Sequence, residues 1–191
     1  MESYIPRYRY KFKEDLPHGD KRYILMYIKQ MISEFVYDMG NLENNPFTFP
    51  EVQTLLEGIT VGGHKLSDQN QILNIKESWD YVIKLSRTYS SEINKEVICN
   101  IHSKVRKDEA LIVGAFRNGN IGIAGTTNYK CIDSGYLDEV FKRDIERINS
   151  IDNILERALI LNLWLSYCQF YYDGNKRTAR LATNLILLTN D

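Results

Sequence analysis

The stretch QFYYDGNKRTAR, Gln169–Arg180, decides how the rest of the chain is read. Asp173-Gly174-Asn175 is turn chemistry, because Asp and Asn bond to nearby backbone and Gly tolerates left-handed dihedrals. The residues after it, KRTARLATNLILL, have a heavily apolar body and predict a helix from about Lys176 to Leu188. Lys176, Arg177 and Arg180 then fall in or near its first turn. A helix N-terminus carries partial positive charge and unpaired N–H groups, so each cation there costs about 0.3–1 kcal/mol.

Two readings of that cost stand side by side. In the first, an anion occupies the helix end. Backbone N–H groups from Gly174 onward cradle a phosphate, and Arg177 and Arg180, three residues apart, grip it from one face. Asp173 beside a polyphosphate suits Mg²⁺, which takes one or two carboxylates plus phosphate oxygens. In the second, Asp173 merely caps the helix and the cations are solvated or paired with acids elsewhere.

Working outward, the apolar run Ala158–Phe170 is interrupted by Asn162 and Gln169. It is too short for a membrane span and reads as a buried helix, within a helical segment from Asp152 to Tyr171. A further helix is expected at Ser134–Asn149. Upstream, Ser91 is the expected cap of a helix ending at Val105, and Ser67 that of a helix with apolar positions Ile72, Ile75, Trp79, Val82 and Ile83. Pro50 suits the first turn of a short helix ending at Glu57-Gly58. A helix over Lys21–Met39 presents Leu25, Ile28, Ile32 and Phe35, with Gly40 as its stop. One segment differs: LIVGAFRNGNIGIAG, 111–125, places two short apolar runs around Asn118-Gly119, a strong hairpin signal. The expected fold class is all-α, a helical bundle with one short β-hairpin.

At 191 residues, one domain with a real core is the default. The formal net charge of −1 gives no whole-molecule case for nucleic acid or a membrane surface. Cys99, Cys131 and Cys168 are odd in number, widely spaced and without a C-x-x-C, which argues against a disulfide framework or a zinc site and for a reducing cytoplasm. The N-terminal residues contain no apolar signal region. The arm RYRYKFK alternates basic and aromatic residues and is expected to pack its rings on the bundle. Trp79 and Trp164 read as core, and Cys168 as a buried structural thiol.

The 169–180 stretch resembles the signature of the Fic family, H-x-F-x-[DE]-G-N-[GK]-R-x-x-R. Asp173, Gly174, Asn175, Lys176, Arg177 and Arg180 match it in register. Similarity extends from about residue 49 to the C-terminus, with residues 1–18 as an extended arm and 19–191 as a single Fic-type domain. The resemblance implies ATP and Mg²⁺ as cofactors and transfer of AMP to a Ser, Thr or Tyr hydroxyl of a protein target. It implies Asp173 for the metal, and Asn175 with the Gly174 and Lys176 backbone for the α-phosphate. Arg177 and Arg180 would take the β- and γ-phosphates, and the hairpin (Arg117, Asn118, Gly119, Ile121) would dock the target by strand pairing. The expected partners are ATP, a protein target and possible further copies of the chain, with no membrane.

Two positions depart from the pattern. Gln169 stands where the family has its histidine base, and glutamine does not take up a proton at neutral pH; losing such a base typically costs about 10²–10⁴ in rate. None of His18, His64 and His102 is an obvious substitute, and His102 reads as structural. Tyr171 replaces the motif phenylalanine. Lys176 is found in the Doc branch, whose members move the terminal phosphate. A catalytically silent nucleotide-binding module and a phosphotransferase therefore stand as alternatives. Many relatives also carry an inhibitory [ST]-x-x-x-E-[GN] helix, and QTLLEG offers Glu57-Gly58 as a partial match within 49–58, with Arg180 as the expected partner of Glu57.

Overall fold

A computed structural model describes residues 3–8, 12–13, 19–89, 92–107, 111–123, 125 and 129–190. Among them are eight α-helices and one 3₁₀ turn: α1 (Lys21–Gln30), α2 (Ile32–Asn41), α3 (Phe49–Leu56), α4 (Leu66–Leu85), α5 (Lys95–Val105), the turn Ser134–Tyr136, α6 (Leu137–Asn149), α7 (Ile154–Cys168) and α8 (Asn175–Thr189). The all-helical expectation holds.

The centre is the pair α7 and α8, which share the most extensive helix contact in the fold. α7 is apolar nearly all round and buries Ala158, Leu161, Trp164, Leu165 and Cys168. α8 buries Ala179, Leu181, Ala182, Leu185 and Ile186. α4 lies across α8, α5 and α2, with the predicted stripe Ile72, Ile75, Trp79, Val82 and Ile83 turned inward. The loop 169–174 that joins the central pair thus stands on a rigid base.

Several expected boundaries move for local reasons. The helix predicted over Lys21–Met39 is broken at Met31, whose φ of −92° and ψ of 5° end α1 and begin α2. Gly40 does not stop α2. It lies within it because a Cβ there would meet Ile72 Cδ1 at 2.8 Å, so the glycine permits close approach of α4. The chain turns off instead at Asn44, in the left-handed region at φ 61°. Asn44 N–H donates to Asn41 O and Asn45 N–H to Gly40 O, both at 3.0 Å, the paired bonds of a Schellman end. Thr48 caps α3 in a reciprocal box with Glu51. Lys65, not Ser67, precedes α4. Asn94 caps α5 through its side chain, and Ser91 lies outside the described residues.

No strand occurs among the described residues of 111–125, which corrects the hairpin expectation. The segment spends its bonding capacity on the rest of the protein. Arg117 N–H donates to Phe170 O at 2.9 Å. Phe116 stacks on Phe170 with ring centres 4.7 Å apart.

Residues 3–8 lie against α6 and α7. The fully buried Asp144 accepts from Ser3 Oγ (3.1 Å), Tyr4 N–H (3.0 Å), Arg143 Nε (2.8 Å) and Trp164 Nε1 (3.2 Å). Burial raises its pKa, but the Arg143 and Tyr4 bonds outweigh that and leave it below the ordinary value. The Tyr8 hydroxyl donates to Glu156. Arg9, Tyr10, Lys11 and His18 lie outside the described residues. No helix among the described residues is long and apolar enough to cross a membrane.

Candidate active site

The loop between α7 and α8 is shaped by two left-handed residues. Gln169, at φ 51°, caps α7, whose last residue, Cys168, lies three residues short of the predicted Tyr171 boundary. Gly174, at φ 76°, starts α8. Phe170 and Tyr171 point into the core at 0% and 2% exposure, so the loop is anchored by two rings. Asn175 then staples it: its Oδ1 accepts from Tyr171 N–H at 2.9 Å, and its Nδ2 donates to Tyr171 O at 2.9 Å and to Gln169 Oε1 at 3.0 Å.

His102 supports this loop from α5. Its Nδ1 accepts from Gly114 N–H at 3.1 Å, so the ring proton sits on Nε2 and is donated to Asp173 O at 3.0 Å. The ring stacks on Tyr171, nearly parallel, with centres 3.7 Å apart. Burial, with repulsion from Arg106 and Arg177, pushes its pKa down to about 4. It is a neutral scaffold residue, as expected. His64 is engaged elsewhere, with Nε2 at 3.0 Å from Glu51 Oε1. Burial pushes the Cys168 thiol far up, which fits a structural role. Trp79 and Trp164 are core, as expected.

The three cations of the motif converge on one carboxylate. Glu43 Oε1 lies 3.3 Å from Lys176 Nζ and 3.6 Å from Arg180 Nη1, and Glu43 Oε2 lies 3.9 Å from Arg177 Nε. This carboxylate was missed by sequence reasoning, which gave the position to Glu57. Glu57 is exposed at the end of α3. A glutamate at a helix C-terminus opposes the macrodipole and calls for cations, and the Schellman turn of α2 supplies Glu43. The signal was present, since Glu43-Asn44 also satisfies the E-[GN] pair, with Met39 in the Ser/Thr place.

Asp173 faces the same cavity, a space of about 70 Å³ lined by Glu43, Gln169, Tyr172, Asp173, Asn175 and Lys176 among others. Its Oδ1 accepts from Gly174 N–H at 2.5 Å, and its Oδ2 lies 3.1 Å from Arg106 Nη1. Arg180 Nη1 and Glu43 Oε1 are both buried without a hydrogen-bond partner among the described residues. A buried guanidinium nitrogen lacking an acceptor fits a site built for an anion richer in oxygens than one carboxylate. No three His, Cys, Asp or Glu side chains among the described residues form a metal cluster. Asp173 alone fits an ion that completes its shell with phosphate oxygens and water.

The four residues assigned to target docking divide. Arg117 is 2% exposed, and its guanidinium donates to Gln169 O (2.8 Å), Gly119 O (2.8 Å) and Ile132 O. It is an internal clamp, which corrects its placement on a docking surface. Asn118 is exposed, and its Oδ1 accepts from the Tyr172 hydroxyl at 2.9 Å. A Cβ on Gly119 would lie 2.7 Å from that hydroxyl oxygen, so any other residue there must push the Tyr172 tip aside. Ile121 is half-buried.

Comparison with known proteins bears on this geometry. Residues 92–187 match the family model described as Fic/DOC family. The protein adenylyltransferase Fic of Nematostella vectensis is 26% identical over 168 residues, spanning 84% of this chain and 38% of that protein. The corresponding Caenorhabditis elegans protein is 24% identical over 161 residues, spanning 81% of this chain and 31% of the relative. The chain thus spans about a third of the length of these curated relatives. Among solved structures, a Fic domain containing signaling protein from Bacteroides thetaiotaomicron superimposes with a TM-score of 0.75 at 16% identity, covering 89% of this chain and 67% of that one.

Proposed function

Because this chain belongs to the Fic/DOC family, we propose that it binds ATP with Mg²⁺ over the first turn of α8 and serves transfer of AMP to a protein hydroxyl. The observation that carries the reading is the convergence of Lys176, Arg177 and Arg180 on Glu43. That carboxylate stands where phosphate oxygens would sit. Arg177 and Arg180 grip the β- and γ-phosphates once Glu43 withdraws. The N–H groups at the start of α8 face the α-phosphate, where they stabilise charge as it develops. Asp173 holds the Mg²⁺, which supplies neutralisation of phosphate charge. The exposed Asn118 and the adjoining Gly119–Ile121 stretch lie beside the cavity mouth through Tyr172 and receive the target segment. A reducing cytoplasmic setting fits the three free cysteines.

Glu43 acts as the inhibitory carboxylate in this reading, in place of Glu57. Gln169 does not act as a base. Its Nε2 donates to Ser166 O at 2.6 Å and its Oε1 accepts from Asn175, so both ends of the amide are committed to holding the loop. That commitment favours a second reading, a nucleotide-binding module that docks a partner without transferring anything.

The test is ATP binding and label transfer by the native chain, Glu43→Gly, and Glu43→Gly with Gln169→His. Glu43→Gly is expected to bind ATP–Mg²⁺ at least about tenfold more tightly, since a competing ionic partner has been removed. Label from the α-position on a protein acceptor, seen only with histidine at 169, supports the docking-module reading for the native chain. Label from the γ-position supports phosphoryl transfer, with Lys176 as the residue that favours it. Failure of Glu43→Gly to bind ATP–Mg²⁺ overturns the proposal.

A further inference from the structure

Arg106 lies outside the 169–180 motif and has no part in the reading above. It caps the C-terminal end of α5, its N–H donating to His102 O at 3.0 Å. Its stem runs directly beneath Gly174: a Cβ on that glycine would lie 2.7 Å from Arg106 Cγ and 3.2 Å from Cδ. The side chain is only 13% exposed, and Nη1 sits 3.1 Å from Asp173 Oδ2. The same oxygen lies 3.7 Å from Arg177 Nη2. The other oxygen of Asp173 accepts from Gly174 N–H.

Both oxygens of the one carboxylate suited to a divalent cation are therefore already engaged, and the partner of Oδ2 is a guanidinium held in place by packing. No acidic cluster among the described residues offsets it. A metal approaching Asp173 meets positive charge at short range and must displace a formed ion pair. Asp173 is 53% exposed, so the pair is a competitor to be outbid and not a permanent block.

Resting on the nucleotide-binding reading, we infer that Arg106 is a resident cation at the Asp173 carboxylate, a positioning residue that stands in for the divalent metal and lowers the protein's dependence on it. With Arg106 present, Asp173 is neutralised and held beside the phosphate site whether or not a metal arrives. A nucleotide is then accepted with little help from Mg²⁺. Without the guanidinium, Asp173 keeps only the longer Arg177 ion pair, at 3.7 Å, as it faces a polyphosphate, and binding depends more strongly on the metal.

The experiment uses the full chain carrying Glu43→Gly, so that the arginines are open, with Arg106→Gln as the variant and Arg106→Lys as the partial restoration. Glutamine keeps most of the stem packed under Gly174 and removes the charge. A non-hydrolysable ATP analogue is titrated in EDTA and in excess Mg²⁺. Bound Mn²⁺ is followed by electron paramagnetic resonance with the analogue saturating. Arg106→Gln is expected to lose about tenfold in analogue affinity in EDTA, to recover it in Mg²⁺, and to lower the Mn²⁺ midpoint about tenfold. Arg106→Lys should fall between the two. Analogue binding with an unchanged Mn²⁺ midpoint and an unchanged EDTA affinity overturns this inference alone. Absence of analogue binding by every variant in every condition overturns the nucleotide-binding reading and this inference with it.

Discussion

The side-chain oxygen of Gln169 accepts a hydrogen bond from Asn175 Nδ2 at 3.0 Å, across the loop that joins α7 to α8. The residue at the motif's histidine position is thus a brace for the residue that opens α8. A histidine introduced at 169 gains a titratable nitrogen but must also share Asn175. Gln169→His in the Glu43→Gly background is expected to raise transfer of an α-phosphate label by about 10²–10⁴, the usual worth of a positioned base. Measuring label incorporated per minute at fixed ATP checks this. Gln169→Ala should not raise it, and an equal rise in both variants would show that freeing Asn175 was what mattered.

Glu43 should respond to substitution and Glu57 should not. Glu43→Gly leaves Lys176, Arg177 and Arg180 facing one another and lowers thermal stability, and ATP–Mg²⁺ should restore it. At ligand about a hundredfold above Kd, the gain of about 2.7 kcal/mol shifts Tm by roughly 5–10 °C. Glu57→Gly, at an exposed position, should melt and respond to nucleotide like the native chain. Differential scanning fluorimetry separates the two.

Arg117 is predicted to matter to stability more than to target recognition. Its guanidinium meets three carbonyl oxygens, of Gln169, Gly119 and Ile132. Arg117→Ala strands those acceptors and is expected to cost roughly 2–4 kcal/mol in a urea titration. Asn118→Ala, at an exposed site, should cost well under 1 kcal/mol, roughly the worth of one partly solvated hydrogen bond.

Acid should loosen the protein through His102. Its folded pKa, about 4, lies below the ordinary value of 6.5. Its contribution is complete above that ordinary value and is lost as pH falls from about 6.5 through about 4, because the unfolded chain takes up the proton first. The loss is on the order of 3 kcal/mol. His102→Gln is expected to start less stable and to show a shallower fall in stability across that window. Urea midpoints at a series of pH values measure the slope, and equal slopes for both proteins would remove His102 from the account.

The helices were legible where apolar spacing is strong, as in α4, and where a turn is chemically explicit, as at Asp173-Gly174. Broken helices were not. Met31 carries no Gly or Pro to announce the break between α1 and α2, and Gly40 looked like a stop although its role is a close approach to Ile72. The hairpin expectation rested on Asn118-Gly119 and on local alternation. It lost to burial of Phe116 and Arg117 against the 169–174 loop, a preference set by partners some fifty residues away that no local window contains. At the site, the motif gave Asp173 through Arg180 directly. Glu43 and Arg106 are brought there by the ends of α2 and α5; the E-[GN] pair at Glu43-Asn44 was legible, but its ion pairs with Lys176 and Arg180 and the Arg106–Asp173 pair were not.

Asp144 ties the amino end of the chain into the interior, taking two of its four donors from Ser3 and Tyr4. Trimming past Tyr4 removes one donor from each Asp144 oxygen and leaves Oδ1 with Arg143 Nε and Oδ2 with Trp164 Nε1. The Tyr4 amide, bonded to a buried carboxylate, should exchange its proton slowly.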